Sequence, residues 1–254
     1  WKYFDITHKM HLVCNPMKKE KFYGLCDLLP LSKKSRVLDI ACGKGEFLVR
    51  LAELYDVSGV GVDLSPYCVH DCERKKQERV PEADLVFIEM DGADFIPDNG
   101  EKFHLASCIG ASWVYGGHRG TLQALSEMTA PGGWIVVGEP FWRREPSGEY
   151  LESQNMRKED FGSHVGNVRI GEELGLRCVY TLVSDEDDWD HYETLQWLAV
   201  EQYLDENPDD SYNEELLSRV LHYKNAYLDE GRSTQGWAIY VFKKPKFDNS
   251  PEAP

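Results

Sequence analysis

The chain has 254 residues, 42% of them hydrophobic and 28% charged, proportions that suit a globular protein long enough to bury a full core. Forty-four Asp and Glu against 28 Lys and Arg leave a formal net charge of −16. That balance argues against a nucleic-acid partner, because phosphate contacts need clustered Lys and Arg, and here these occur only in short patches such as Lys18-Lys19, Lys33-Lys34 and Arg74-Lys75-Lys76. No apolar run reaches membrane-spanning length and no signal peptide is recognisable, so the expectation is a cytoplasmic protein without a membrane partner.

In chain order, an arm from Trp1 to Met17, carrying His8, His11, Asn15 and Pro16, precedes the first periodic segment. The pattern predicts a helix over Lys18–Leu29, a strand over Val37–Ala41 and a helix over Glu46–Tyr55. A strand over Gly59–Asp63 follows, then a helix over Pro66–Arg79 that Ser65-Pro66 starts with a cap residue and a proline at the first helical position. Further strands are expected over Asp84–Met90, His104–Ile109, Trp134–Glu139, Arg177–Ser184 and Trp237–Lys243, with helices over Thr121–Thr129 and Val168–Leu174. The stretch from Asp185 to Gln235 has room for two helices, one starting at Trp189 and one over Asn213–Glu230; the acidic run Asp185–Asp188 reads as a solvated loop. Alternating β and α elements imply an α/β protein with a parallel, doubly covered (doubly wound) sheet of about seven strands. One domain over 1–245 is expected, with 1–34 as arm and first helix, 185–235 as a helical insertion, and 246–254 as a disordered tail.

The segment Val37-Leu-Asp-Ile-Ala-Cys-Gly-Lys-Gly-Glu46 carries the most chemistry. Gly43 and Gly45 lack a Cβ, so the backbone can turn sharply and approach a ligand closely. A dinucleotide turn presents helix N–H groups to a pyrophosphate. Here Asp39 and Glu46 flank the glycines, and such a pair repels a pyrophosphate but suits an ammonium or sulfonium. Asp63 closes the next strand, where a carboxylate can accept both hydroxyls of a ribose.

On these residues the chain resembles the class I S-adenosylmethionine (SAM)-dependent methyltransferases over roughly 35 to 140. Asp39-Ile-Ala-Cys-Gly43-Lys-Gly45 resembles the family's E/D-x-G-x-G-x-G turn, with Ala41 in place of the first glycine. Gly61-Val-Asp63-Leu64 resembles its ribose-binding strand end, Asp91-Gly92 its adenine-binding acid, and Ser107-Cys108-Ile-Gly110 the segment along the methionine part. Pro131-Gly-Gly133 and Gly138-Glu139-Pro140 resemble the fifth strand and the turn before it. Gly110-Ala-Ser-Trp113, Gly116-Gly117 and Gly138-Glu-Pro-Phe-Trp142 bring it close to a small microbial subgroup. The resemblance implies a Rossmann-like sheet whose last strand is antiparallel, SAM as cofactor with S-adenosyl-L-homocysteine (SAH) as product, and cofactor contacts from Asp39, Ala41, Gly43, Gly45, Asp63, Leu64, Asp91, Gly92 and Cys108.

Methyl transfer is an in-line displacement and needs alignment and a route for the acceptor's proton. Glu139, at a strand end, is the first candidate carboxylate, with a capping role as the plainer reading. His118 and His11 are candidate bases, or packing residues. Trp113, Tyr115, Trp142, Trp189 and Tyr192 crowd the expected mouth. They form either an aromatic box for the acceptor or, for those at helical spacing, insertion core. Seven cysteines without a C-x-x-C pair read as reduced thiols; Cys68 and Cys72 sit one helical turn apart with no second pair, so no metal site is expected. The implied function is methyl transfer to a small molecule. A non-catalytic SAM-binding protein and an NAD(P)-dependent oxidoreductase are the alternatives, and oligomeric state is left open.

Overall fold

The computed structural model of the chain describes residues 1–246, so most of the expected tail lies outside the described residues. The elements are α1 (Lys2–Thr7), α2 (Lys19–Leu28), β1 (Arg36–Ile40), α3 (Glu46–Tyr55), β2 (Ser58–Asp63), α4 (Pro66–Arg79), β3 (Leu85–Glu89), β4 (Phe103–Ile109) and α5 (His118–Met128). Then come β5 (Thr129–Trp142), α6 (Gly148–Ser153), α7 (His164–Glu173), β6 (Arg177–Val183), α8 (Glu186–Glu206), α9 (Asn213–Ala226) and β7 (Gln235–Lys243).

The seven strands form one sheet of order β3-β2-β1-β4-β5-β7-β6. Strands β1 to β5 pair in parallel, and β7 runs antiparallel to both β5 and β6. This is the expected Rossmann-like arrangement. Its central strands bury both faces, as parallel strands under helices must. Val37, Leu105 and Val136 face one way and pack with Phe22, Phe47, Leu48 and Leu51 of α2 and α3. Leu38, Ala106, Ile135 and Val137 face the other way and pack with Leu122 and Leu125 of α5. The strand order reverses between β1 and β4, which opens a crevice beyond their carboxyl ends.

Several elements differ from the sequence expectation for identifiable reasons. Strand β5 runs on to Trp142 because Glu139–Trp142 pair with Gln235–Ala238 of β7. Helix α7 starts at His164, where the Ser163 hydroxyl accepts from the Gly166 N–H. The acidic run is not a solvated loop. Asp185 and Asp188 cap the N-terminus of α8 reciprocally, and Asp188 is buried with Lys21 and the Lys18 N–H as partners. Helices α1 and α6 were not expected, each being too short for a period to register.

Helices α8 and α9 lie between β6 and β7 as expected, but their apolar side covers the arm. Ile6 of α1 is buried against Val200 of α8 and Leu216 and Val220 of α9. Among the described residues no helix is long and apolar enough to cross a membrane.

Candidate active site

A cavity of about 450 Å³ opens at the reversal point, beyond the carboxyl ends of β1, β2 and β4. Its polar wall comes from three strand ends. Asp39 is buried near the end of β1, and Ser107 of β4 donates to its Oδ1 at 2.7 Å. Burial pushes the Asp39 carboxyl up to about 7, helped by the nearby Asp63 charge and opposed by the Ser107 bond. Asp63, at the end of β2, accepts the Gly43 N–H at 2.8 Å and the Ser65 N–H at 2.9 Å. It therefore ties the glycine turn to β2 and keeps further lone pairs for a ligand's hydroxyls. Burial raises this carboxyl as well. Asp91, after β3, is exposed and accepts the Ala93 N–H at 2.9 Å.

The turn between β1 and α3 requires left-handed backbone. Gly43 has φ 54° and Gly45 has φ 71°, and a Cβ on Gly45 would meet Cys72 Sγ at 2.7 Å. Ala41 also sits at φ 51°, so replacing the family's first glycine is less mild than its size suggests. Glu46 likewise departs from expectation. It is buried, accepts from Lys75 Nζ at 2.8 Å and Arg79 Nη1 at 2.8 Å, and takes the Tyr23 hydroxyl. Burial acts to raise its carboxyl, but the Lys75 charge and these bonds outweigh burial and hold it below the ordinary value. Its charge is spent inside the fold. Asp39, Asp63 and Asp91 carry the cavity's acidity.

The roof is the arm. Phe4, Leu12, Val13, Cys14 and Asn15 line the cavity, whereas the 185–235 insertion contributes none of its described lining residues. The insertion's helices α8 and α9 support this roof from behind, through Ile6 of the arm. Lys44, from the glycine turn, donates to the His8 carbonyl at 2.7 Å and stands 3.5 Å from Asp71. His8 Nε2 lies 2.8 Å from the Tyr192 hydroxyl, and His11 Nε2 lies 2.9 Å from the Tyr192 carbonyl. Burial lowers His8 to about 3 and His11 to about 4, so both are neutral at pH 7. His11 must then carry its proton on Nε2, facing the carbonyl, and its buried Nδ1 has no partner. Sequence reasoning set the arm apart but missed these roof residues; Asn15-Pro16, a restricted turn dipeptide, was the available signal.

Of the residues expected at the cofactor, Asp39, Ala41, Gly43, Asp63, Leu64, Asp91 and Gly92 line the cavity together. Gly45 and Cys108 do not: the first is packed under α4 and the second is fully buried within β4. Trp113 lines the mouth and is 75% exposed. Tyr115 lies behind the mouth, its hydroxyl donating to the Gly92 carbonyl at 2.8 Å. Trp142 stands apart beside Phe161, with its Nε1 donating to the Lys158 carbonyl. Trp189 packs between Tyr192 and Tyr227.

None of the three expected catalytic groups lines the cavity. Glu139 and His118 form a buried pair, with His118 Nδ1 3.9 Å from Glu139 Oε2. Burial pushes Glu139 up to about 7, against a bond from Ser112, and lowers His118 to about 4, against its bond to the Asn167 carbonyl. His118 is therefore neutral near pH 7, while Glu139 is held far above the usual carboxylate range by its burial.

The residues present fit an adenosyl donor. The cavity has the volume of a small-ligand site, and its acids supply acceptors for a diol, an amine and an ammonium. The buried Asn15 Oδ1 has no partner among the described residues, so a donor group on a ligand has a place to bond.

The comparisons with known proteins agree. Residues 37–133 match the family model described as a methyltransferase domain. A SAM-dependent methyltransferase from Thiobacillus denitrificans, crystallised with SAH, is 32% identical and superposes with a TM-score of 0.88 over 95% of this chain and 98% of its own. A SAM-dependent methyltransferase from Geobacter sulfurreducens, also crystallised with SAH, is 30% identical with a TM-score of 0.89 over 95% and 97% of the two chains. The Escherichia coli protein YjhP is 30% identical over 94% of this chain and 96% of its own. The chain belongs to the SAM-dependent methyltransferases.

Proposed function

We propose that the enzyme transfers the methyl group of SAM to a small-molecule acceptor taken up beneath the N-terminal arm. The observation that supports this most is the enclosure itself: a cavity walled by three strand-end carboxylates and roofed by an apolar arm, in a chain of net charge −16. A polynucleotide would need an open basic face instead.

Bound SAM supplies an electrophilic methyl on a sulfonium. Asp63 would hold the ribose hydroxyls, Asp91 the adenine amine, and Asp39 the methionine ammonium. Gly43 and Gly110 leave room against the arm, where a Cβ on either would come within 3.7 to 3.8 Å of Cys14 or Asn15. The roof excludes water, which strengthens each carboxylate contact and removes a competing nucleophile. Since Glu139, His118 and His11 stand outside the lining, the chain's main contribution is alignment of acceptor and donor, an effect worth several kcal/mol. Glu139 and His118 then act as positioning groups beneath the Ser112–Tyr115 turn that carries Trp113.

The test is incubation of the protein with methyl-labelled SAM and a cell extract, followed by size fractionation. Label should appear in the small-molecule fraction; label confined to protein or nucleic acid would refute the proposal.

A further inference from the structure

Beside the donor cavity lies a second chamber of about 510 Å³, and the two share Trp1 and Phe4 as lining. Its other walls come from α6, α8, α9 and the start of β7. Two charged side chains line it, Arg219 from the solvent-exposed side of α9 and the partly buried Glu193 of α8. Arg219 stacks 3.9 Å from the centroid of Tyr3 and 5.9 Å from that of Tyr223, and is held by these rings rather than by an ion pair among the described residues. Glu193 sits among Tyr3, Tyr150, Tyr192 and Tyr227, each of which feels its charge. Burial alone pushes its carboxyl up to about 7, with no bond or cation to offset it.

The proposal rests on the methyltransferase reading and adds the acceptor's chemistry. We infer that this chamber holds the methyl acceptor, and that the acceptor is a planar aromatic carboxylate bearing a hydroxyl or amine. Tyrosine rings offer flat apolar faces for stacking at low entropic cost. A guanidinium presents a fork that matches a carboxylate in two parallel bonds, and it is already oriented by stacking. Arg219 also occupies the face of Tyr3 where a cationic ligand would otherwise sit, which disfavours an amine-only substrate. Glu193 supplies a hydrogen-bonding group that need not be ionised, suited to a hydroxyl, an aniline-type amine or the carboxylate itself. Trp1 and Phe4 line both spaces and so form the boundary between chamber and donor cavity, where the acceptor's hydroxyl or amine would reach the donor; the Tyr192 hydroxyl of the chamber lies 2.8 Å from His8 Nε2.

The experiment is calorimetry on the full chain loaded with SAH. Titrants are para-hydroxybenzoate, para-aminobenzoate, the neutral para-hydroxybenzamide and the cation tyramine. SAH binding is measured first. If SAH does not bind, the methyltransferase reading itself fails. With SAH bound, at least one carboxylate should bind below about 10 mM and the amide and tyramine more weakly. Arg219→Gln should weaken that carboxylate by roughly tenfold or more while leaving SAH affinity and melting temperature unchanged. Preference for tyramine, carboxylate binding indifferent to Arg219→Gln, or no carboxylate binding in an SAH-competent protein would each overturn the inference.

Discussion

Asp39 is buried as a neutral acid would be, and in the proposed donor pose it faces the methionine ammonium. With its carboxyl raised to about 7, its contribution to the stability of the free protein is complete below the ordinary carboxylate range and is lost as pH rises through about 7. Binding an ammonium draws the proton off. SAH affinity should therefore rise with pH up to about 7, by at most about tenfold per unit, and then level off. Asp39→Asn, which mimics the neutral acid, should flatten that profile and weaken binding at pH 8 by roughly tenfold or more; an unchanged profile by calorimetry would assign the cation contact elsewhere. Ala41 permits a second test. Its left-handed backbone costs an L-residue about 1–2 kcal/mol, part of which a glycine returns as entropy of the unfolded chain. Ala41→Gly should stabilise the protein by about 0.5–1 kcal/mol in denaturant unfolding, whereas destabilisation would mean its methyl is a needed cavity wall. The acids at the strand ends were legible because strand period and turn fix where they emerge. The fate of Glu46 was not, since its partners Lys75 and Arg79 arrive 29 and 33 residues later on α4.

At the scale of elements, the arm and the insertion form one device. The helices expected over 185–235 are present as α8 and α9; the arm lines the donor cavity, and α8 and α9 hold the arm. The reason is hydrophobic matching that crosses some 200 positions of chain: Ile6 seats among Val200, Leu216 and Val220, and no local period announces such a contact. Ile6→Ala removes buried methylene groups worth about 2–4 kcal/mol of packing. Because the arm's other ties to α8, α9 and the turn between them are surface ion pairs, ring contacts and hydrogen bonds, the loss should appear as local opening. Amide exchange over residues 2–17 should accelerate, and SAH affinity should fall roughly tenfold, while the unfolding midpoint of the sheet hardly moves. Faster exchange with unaltered SAH affinity would show that the arm is not the functional roof.

For the molecule as a whole, the fold and the candidate donor site follow from a short list of sequence features: alternating β and α periods, one glycine turn and acids at three strand ends. Those features recur at the cavity because a doubly wound sheet brings the carboxyl ends of β1, β2, β3 and β4 to one crevice. The proposed acceptor chamber was less legible, as its walls combine arm, insertion and β7 through contacts that depend on the finished fold. The central claim is that the strand-end carboxylates beneath the arm hold the adenosyl donor. Calorimetric titration of the protein and of Asp63→Asn with SAH, with NAD as control, tests it most directly. Asparagine keeps an acceptor for the Gly43 or Ser65 N–H while losing the charge-assisted pair of hydroxyl contacts. The expected result is one-to-one SAH binding, no NAD binding, and a loss of roughly tenfold to a hundredfold in the folded Asp63→Asn protein. SAH binding of equal strength in both proteins, or NAD binding in preference to SAH, would contradict it.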